Sequence, residues 1–283
     1  MCRFLAWSGA PRYLDELVLN QEQSLVDQSR NAHIGKTPIN ADGFGLAWYS
    51  ERSKPCFYKD THPAWSDANL KQLAHHTRSG LFLAHVRAST GTATSRNNCH
   101  PFGYGRWCFM HNGQAGGHER IRQALDGMIP ADLYDHRFGA TESEAIFLIA
   151  LGEGLETDPI AAMARAVAKV EGLSREKGTL PFMRFAACWS DGERLYAARY
   201  ASDRFAPSLF FRRCPGGVVV SSEPLDGDSG EWIEIPAGSA IEVRGKDLVT
   251  RPFQVATGIT PSAQPAPHRS PRSSPPDTVR AHG

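Results

Sequence analysis

The chain has 283 residues, 41% hydrophobic and 10% aromatic, enough to bury one large core without dividing into two domains. Lysine and arginine total 31 against 30 acidic residues, a formal net charge of +1, which excludes a long-range field drawing nucleic acid or an anionic membrane. No basic stretch leads into an apolar run and cleavage site at the start, no segment reaches about 18 uninterrupted apolar residues, and Cys2, Cys56, Cys99, Cys108, Cys188 and Cys214 show no paired spacing, so the expected setting is a reducing cytoplasm.

In chain order the first feature is Met1-Cys2. Aminopeptidases remove an initiator methionine when the next side chain is small, so the mature chain is expected to begin at Cys2 with thiol and α-amine on one residue. A free α-amine has a reference pKa of roughly 7.7 to 8.0 and a thiol about 8.5, so the amine accepts the thiol proton at a cost of only about 1 kcal/mol. Such an N-terminal nucleophile needs no separate histidine base. The bland alternative is a cysteine placed second by chance and buried.

Strand patterns then alternate with helical ones. Gly45 to Tyr49 reads as a strand, and Gly43-Phe44-Gly45 as a close backbone approach within it rather than a dinucleotide loop, which needs a third glycine and a following helix. Asp67 to Arg78 reads as a helix and Leu81 to Arg87 as a strand. Arg87 carries a planar fork able to hold a carboxylate bidentately, against the alternative of a surface ion pair. After Asn98-Cys99-His100-Pro101-Phe102, the strand Trp107 to Met110 leads into His111-Asn112-Gly113. An amide side chain and a flexible backbone N–H at one strand end suit an oxyanion hole. Asn-Gly is also a common hairpin turn, although Gly116-Gly117 and a helical pattern follow. Zinc held by Cys99, His100, Cys108 and His111 is disfavoured, because the spacing fits no familiar finger and neighbouring residues on an extended chain point apart.

Glu119 to Met128, Glu142 to Leu151 and Pro159 to Val170 read as helices. Thr141 with Glu144 fits a capping box that sets Glu142 at a helix start, and Thr157 with Pro159 marks the next start. Phe182 to Trp189 and Arg194 to Tyr200 form a hairpin across Asp191-Gly192, and Leu209 to Phe211 and Val218 to Ser221 are further strands. A layered antiparallel core packed against helices follows. Residues 257–283, rich in Pro, Ser and Ala, bury too little to offset their ordering entropy and are expected to be a disordered tail after a catalytic domain spanning 1–256.

Taken together, Met1-Cys2-Arg3, Asn40-Ala41-Asp42-Gly43-Phe44-Gly45, His85-Val86-Arg87, His100-Pro101-Phe102, His111-Asn112-Gly113, Thr141-Glu142-Ser143-Glu144 and Ser221-Ser222-Glu223-Pro224-Leu225 resemble the class II glutamine amidotransferases of the N-terminal nucleophile hydrolase superfamily. The resemblance spans roughly Cys2 to Pro236 and is nearest to stand-alone members, among them the γ-glutamyl hydrolase of ergothioneine biosynthesis. It implies an α+β fold, a four-layer αββα sandwich of two antiparallel sheets. By the same resemblance Cys2 is the nucleophile, Arg87 with Thr90 grips the α-carboxylate of a γ-glutamyl group, and Asn112 with the Gly113 amide forms the oxyanion hole. Glu142 stands where the well-studied members bind the α-ammonium with an aspartate, and Ala88 where biosynthetic members carry a tryptophan.

The resulting expectation is hydrolysis of the γ-glutamyl amide bond of glutamine or a γ-glutamyl compound through a thioester on Cys2. The expected partner is a small γ-glutamyl molecule, with no cofactor, metal, nucleic acid or membrane involved. Two alternatives stand beside it: a glutaminase supplying ammonia to a separate synthase, and a catalytically silent γ-glutamyl-binding module.

Overall fold

Residue 2 leads directly into a long strand, β1 (Arg3–Tyr13), from which both faces of the fold are organised. The computed structural model describes residues 2–34, 38–89, 91–177, 179–227 and 231–256. The readings of Met1, Thr90 and the 257–283 tail fall outside these described residues. After β1 come α1 (Asp15–Val18), α2 (Leu25–Arg30), β2 (Phe44–Trp48), β3 (Cys56–Asp60), α3 (Ala68–His76) and β4 (Arg78–Val86). The middle of the chain holds β5 (Phe102–Tyr104), β6 (Trp107–Ala115), α4 (His118–Asp126), α5 (Glu142–Gly152) and α6 (Pro159–Glu176). The last part is β7 (Met183–Ser190), β8 (Leu195–Ala201), β9 (Phe210–Cys214), β10 (Gly217–Ser221), β11 (Ile233–Glu234), β12 (Ser239–Arg244) and β13 (Asp247–Pro252).

Among the described residues the strands form a seven-stranded sheet in the order β11-β9-β10-β1-β4-β2-β3 and a six-stranded sheet in the order β13-β12-β8-β7-β6-β5. Every pairing is antiparallel. Alternation along β1 sends Phe4 and Ala6 toward the second sheet, where they pack with Met110, Ala186 and Cys188. Leu5 and Trp7 face the other way, into an apolar layer with Leu14, Leu17, Leu25 and Leu70 from the α1–α3 side. The outer face of the second sheet is covered by α4, α5 and α6, with Phe109 stacked on Phe147 at 5.6 Å. Helices, sheet, sheet and helices thus lie in four layers, the αββα sandwich. No helix among the described residues is long and apolar enough to cross a membrane.

The predicted strands and helices are all present with shifted ends, and the shifts have physical reasons. β6 does not stop at Met110: pairing with β7 continues from Cys108↔Ser190 to Ala115↔Met183, so Asn112 and Gly113 lie inside a strand rather than at its end or in a hairpin turn. α6 runs on to Glu176 because Glu171, fully buried, is held by Arg175 and by the Tyr200 hydroxyl at 2.6 Å. Its cap is Asp158, whose Oδ1 accepts the Ala161 N–H at 3.2 Å, and not Thr157. The Asp191-Gly192 hairpin is present, with Gly192 at φ +90° and Asp191 Oδ1 accepting the Glu193 and Arg194 amides.

A buried ion pair anchors the start of β1. Arg3 Nε lies 2.6 Å from Glu223 Oε1, with side-chain exposures of 0% and 2%. Arg3 Nη1 donates to the Cys2 carbonyl at 2.7 Å and Nη2 to the Ile34 carbonyl. Glu223 also accepts the His33 and Ile34 amides at 3.0 and 2.7 Å. Beside it, Ser222 N–H donates to the Phe4 carbonyl at 3.0 Å and Ser222 Oγ accepts the Phe4 amide at 3.0 Å. Removing one partner of such a pair strands the other charge in the interior. Glu223→Ala is therefore expected to lose about 3–5 kcal/mol of stability in urea denaturation, and Glu223→Gln, which keeps an acceptor for the two amides, to lose less. Equal midpoints for wild type and Glu223→Ala would show that the pair does not anchor the strand.

Candidate active site

Cys2, half-buried, meets the chain just past the end of β4. Its Sγ accepts the Ala88 amide at 3.4 Å, and the thiol donates to the Ala88 carbonyl at 3.5 Å. Burial pushes the Cys2 thiol above its ordinary range; the Ala88 N–H and the Arg87 cation pull it back, and the Glu142 carboxylate adds to the rise. Small Ala88, itself buried, lets the sulfur come this close to the backbone.

Arg87 is 3% exposed, so the surface ion-pair reading does not hold. Its amide donates to the Gly43 carbonyl at 2.8 Å and Nη1 to the Asp42 carbonyl at 3.2 Å. Nη2 donates to Thr92 Oγ1 at 2.6 Å and to Ser89 Oγ at 3.0 Å. None of these acceptors is charged, and no carboxylate lies within ion-pair distance of Arg87 among the described residues. A guanidinium enclosed with only neutral partners gains most from an incoming carboxylate. Asp42 shapes the same loop, its Oδ2 accepting the Ser89 amide at 2.7 Å. The approach at Gly43 and Gly45 is real: a Cβ on Gly45 would stand 2.2 Å from the His100 carbonyl oxygen, and Gly43 has φ +104°.

Across the sandwich, β6 presents Asn112 on the face that carries Met110, toward the sheet of Phe4 and Cys2. Asn112 is buried, and neither Oδ1 nor Nδ2 has a hydrogen-bond partner among the described residues. The next residue differs in what it offers. Gly116 N–H donates to the Phe182 carbonyl across the β6–β7 ladder, so residues of even number in β6 turn their amides to β7. Gly113, of odd number, turns its N–H to the other side, where β5 pairs only with Trp107–Phe109 and leaves the edge open. A Cβ at Gly113 would meet the Arg184 carbonyl oxygen at 1.9 Å. Backbone and side chain of this dipeptide supply donors no other strand partner uses.

Glu142 opens α5, as the capping pattern implies: Thr141 Oγ1 accepts the Glu144 amide at 3.3 Å. The reciprocal half of the box is absent, because Glu144 binds Arg137 and the Phe138 and Gly139 amides. His111 Nδ1 lies 2.9 Å from Ser143 Oγ and ties this helix start to β6 beside Asn112. Glu142 Oε2 stands 3.9 Å from His118 Nδ1, at the start of α4.

Sequence reasoning missed Asp42, His118 and a buried histidine stack. His85 and His100 rings stack at 4.2 Å, with Phe4 6.5 Å from His85. The available signals were the motifs themselves; nothing in them says which ring meets which. Most of the buried side-chain polar atoms without a partner belong to His85, His100, Asn112 and His118. Buried polar groups are otherwise nearly always paired, so this clustering marks where a polar ligand would complete the network. A surface cavity of about 610 Å³ at Asp158, Arg194, Tyr196 and Glu242 shares no residue with it, and its Glu242 pairs with Arg194 and Arg251.

Comparison with known proteins bears on this arrangement. Residues 21–215 match the family described as Glutamine amidotransferases class-II, a span holding Arg87, Asn112, Gly113 and Glu142, with Cys2 ahead of it. The chain is 31% identical to the probable glutamine amidotransferase DUG3 of Saccharomyces cerevisiae, over 89% of this chain and 84% of that protein. It is also 31% identical to a gamma-glutamyl-hercynylcysteine sulfoxide hydrolase of Mycolicibacterium smegmatis, over 89% of this chain and 100% of that protein. Among solved structures, a glutamine aminotransferase class-II domain protein from Silicibacter pomeroyi is 44% identical with a TM-score of 0.74, covering 90% of this chain and 100% of that one. The glutamine phosphoribosylpyrophosphate amidotransferase of B. subtilis, 15% identical with a TM-score of 0.61 over 90% of this chain and 50% of that one, shares the fold.

The histidine stack couples the site to acid stability. Burial, and then the Arg87 charge, pushes His85 down to about 3; burial and then His85 hold His100 well below the ordinary imidazole value, and burial lowers His111. Unfolded chains take up these protons at about 6.5, whereas in the folded protein His85 resists until about 3 and His100 and His111 are also held below the ordinary value. The His85 contribution is therefore complete above about pH 6.5 and is lost as pH falls toward 3, and the other two lose theirs in the same direction. Urea midpoints recorded from about pH 7 to about pH 4.5 should fall, and fall less steeply in His100→Leu, which removes one proton-binding group of the unfolded state. An unchanged slope would assign the acid sensitivity elsewhere.

Proposed function

Because the chain belongs to the class II glutamine amidotransferases, enzymes of cysteine-dependent γ-glutamyl amide cleavage, we propose that it is a self-sufficient hydrolase of a γ-glutamyl amide or peptide with Cys2 as nucleophile. The observation that carries this reading is the set of uncompensated polar groups around one sulfur: among the described residues the Arg87 cation has no carboxylate and the Asn112 amide no partner. The first takes the α-carboxylate of a glutamyl group, with Thr90 as a second contact, and the second takes a developing oxyanion. Glu142 takes the α-ammonium. A small γ-glutamyl molecule is the substrate, and no cofactor is invoked.

In this mechanism Met1 is removed and the Cys2 α-amine receives the thiol proton. The thiolate attacks the γ-carbonyl carbon, and the resulting oxyanion accepts hydrogen bonds from Asn112 Nδ2 and the Gly113 amide. The Cys2 α-ammonium protonates the leaving amine, the C–N bond breaks, and a γ-glutamyl thioester remains. Water, deprotonated by the same amine, attacks the thioester; the C–S bond breaks and glutamate leaves with the thiol restored. The burial that raises the thiol's pKa makes this internal proton acceptor necessary.

Hydrolysis is favoured by the alignment with the whole of the gamma-glutamyl-hercynylcysteine sulfoxide hydrolase relative. The catalytic unit in this reading is residues 1–256, working in the cytoplasm on a small molecule, with neither nucleic acid nor membrane as partner. Turnover measured on glutamine, γ-glutamyl peptides and sulfur-containing γ-glutamyl amides tests it: a γ-glutamyl peptide or amide should exceed glutamine in kcat/KM, and a preference for glutamine would favour the ammonia-supplying alternative.

Asn112→Ala should lower kcat by about a hundredfold or more. Since the amide has no partner to lose among the described residues, the melting temperature should stay level or rise. A drop in both would recast Asn112 as structural. Cys2→Ala should abolish turnover, and intact-mass measurement should find active protein beginning at Cys2; full activity in chains that keep Met1 would end the mechanism.

A further inference from the structure

Glu142 and His118 stand at the first positions of two helices that converge on the site, and the contact between them is unaccounted for by the mechanism. Their side chains are 17% and 15% exposed, and Glu142 Oε2 lies 3.9 Å from His118 Nδ1. No other hydrogen bond or ion pair of the Glu142 carboxylate occurs among the described residues, and the second ring nitrogen of His118, Nε2, is buried without a partner. His118 is delivered to this place by close backbone packing. Gly117 sits at φ +70°, where a Cβ would stand 2.5 Å from Thr179 Oγ1, and a Cβ on Gly116 would stand 2.2 Å from the Pro181 carbonyl oxygen. On the other side, the His111–Ser143 contact and the Thr141 cap hold the start of α5.

We infer that His118 is a positioning residue that sets substrate specificity: it steadies the Glu142 carboxylate at one end so that the other oxygen meets the α-ammonium of the γ-glutamyl group. A glutamate has one more rotatable bond than an aspartate, and a carboxylate with a free torsion surrenders rotamer entropy when it binds a cation. A neighbouring imidazole that limits this torsion removes part of that loss before the substrate arrives. The separation of 3.9 Å is beyond hydrogen-bond length but within the range of an ion pair with a protonated imidazole. The ligand class that follows is an α-amino acid with an unblocked ammonium, and desamino acids are discriminated against. The inference rests on Glu142 as the ammonium ligand.

The test compares γ-glutamyl-p-nitroanilide with glutaryl-p-nitroanilide, which has the same carboxylate and scissile bond and lacks the ammonium. In His118→Ala the ratio of kcat/KM for the two should fall about tenfold from wild type, through KM of the γ-glutamyl substrate. His118→Asn, whose amide nitrogen stands near the place of Nδ1, should recover most of the ratio. A wild-type ratio in His118→Ala, or an equal loss on both anilides, overturns the inference and leaves the proposed hydrolase intact. Calorimetry in a Cys2→Ala background gives a readout independent of turnover: adding His118→Ala should weaken L-glutamate binding about tenfold and spare glutarate. Unchanged glutamate binding overturns the positioning role, whereas Cys2→Ala protein that prefers glutarate to glutamate overturns the ammonium site and the role built on it.

Discussion

Everything at the reactive end of the molecule depends on the buried contact of Arg3 with Glu223. A second residue would ordinarily fray, since chain ends have little to offset their ordering entropy. Here the guanidinium of the next residue reaches back to the Cys2 carbonyl while its charge is neutralised by a carboxylate from more than two hundred positions away. The pair lies on the helix-covered face of β1, and Cys2 therefore emerges on the opposite face, between the sheets. Glu223 simultaneously holds the His33 and Ile34 amides, so the strand start, the 33–34 segment and the 221–223 turn share one electrostatic centre. Burying two charges this way stabilises little compared with an apolar pair, yet it makes any other placement of the chain start costly.

A second theme is how polar groups are apportioned. Most buried polar atoms in the sandwich are paired, and most of the exceptions among the described residues belong to His85, His100, Asn112 and His118. Unpaired groups weaken a fold, and the stability must be recovered elsewhere, here in extensive apolar layers such as the one joining Phe109, Phe147, Phe185 and Phe253. The same apolar surroundings make imidazoles resist protonation and push the Cys2 thiol upward. In the proposed mechanism such a thiol hands its proton to the α-amine of its own residue.

The antiparallel ladder adds a geometric economy. One strand, β6, sends the Asn112 side chain toward the facing sheet and the following amide toward its own open edge. Two donors of different kinds come from adjacent residues without a loop to hold them, so their separation varies little. The helix starts at His118 and Glu142 likewise place side chains from rigid elements, and β6 links to the second of these through His111 and Ser143.

Several elements were legible in the linear chain because their signals are local. Alternation and Asp191-Gly192 define the β7–β8 hairpin, Thr141 with Glu144 marks the start of α5, and the motif order around Cys2, Arg87, Asn112 and Glu142 points to one chemistry. β1 was missed because its first six residues are buried on both faces and show no alternation, and the end of β6 was misplaced because Asn-Gly signals a turn only when no partner strand continues past it. By itself the sequence determined the element types, the apolar layers and the inventory of reactive groups, since these follow from short-range periodicity and residue chemistry. Tertiary structure alone decided that Arg3 would pair with Glu223, that Arg87 would be buried without a carboxylate, that Gly113 would turn its amide to an open edge, and that His118 would stand against Glu142. Those outcomes depend on register and on contacts between distant segments, which side-chain identity along the chain does not encode one residue at a time.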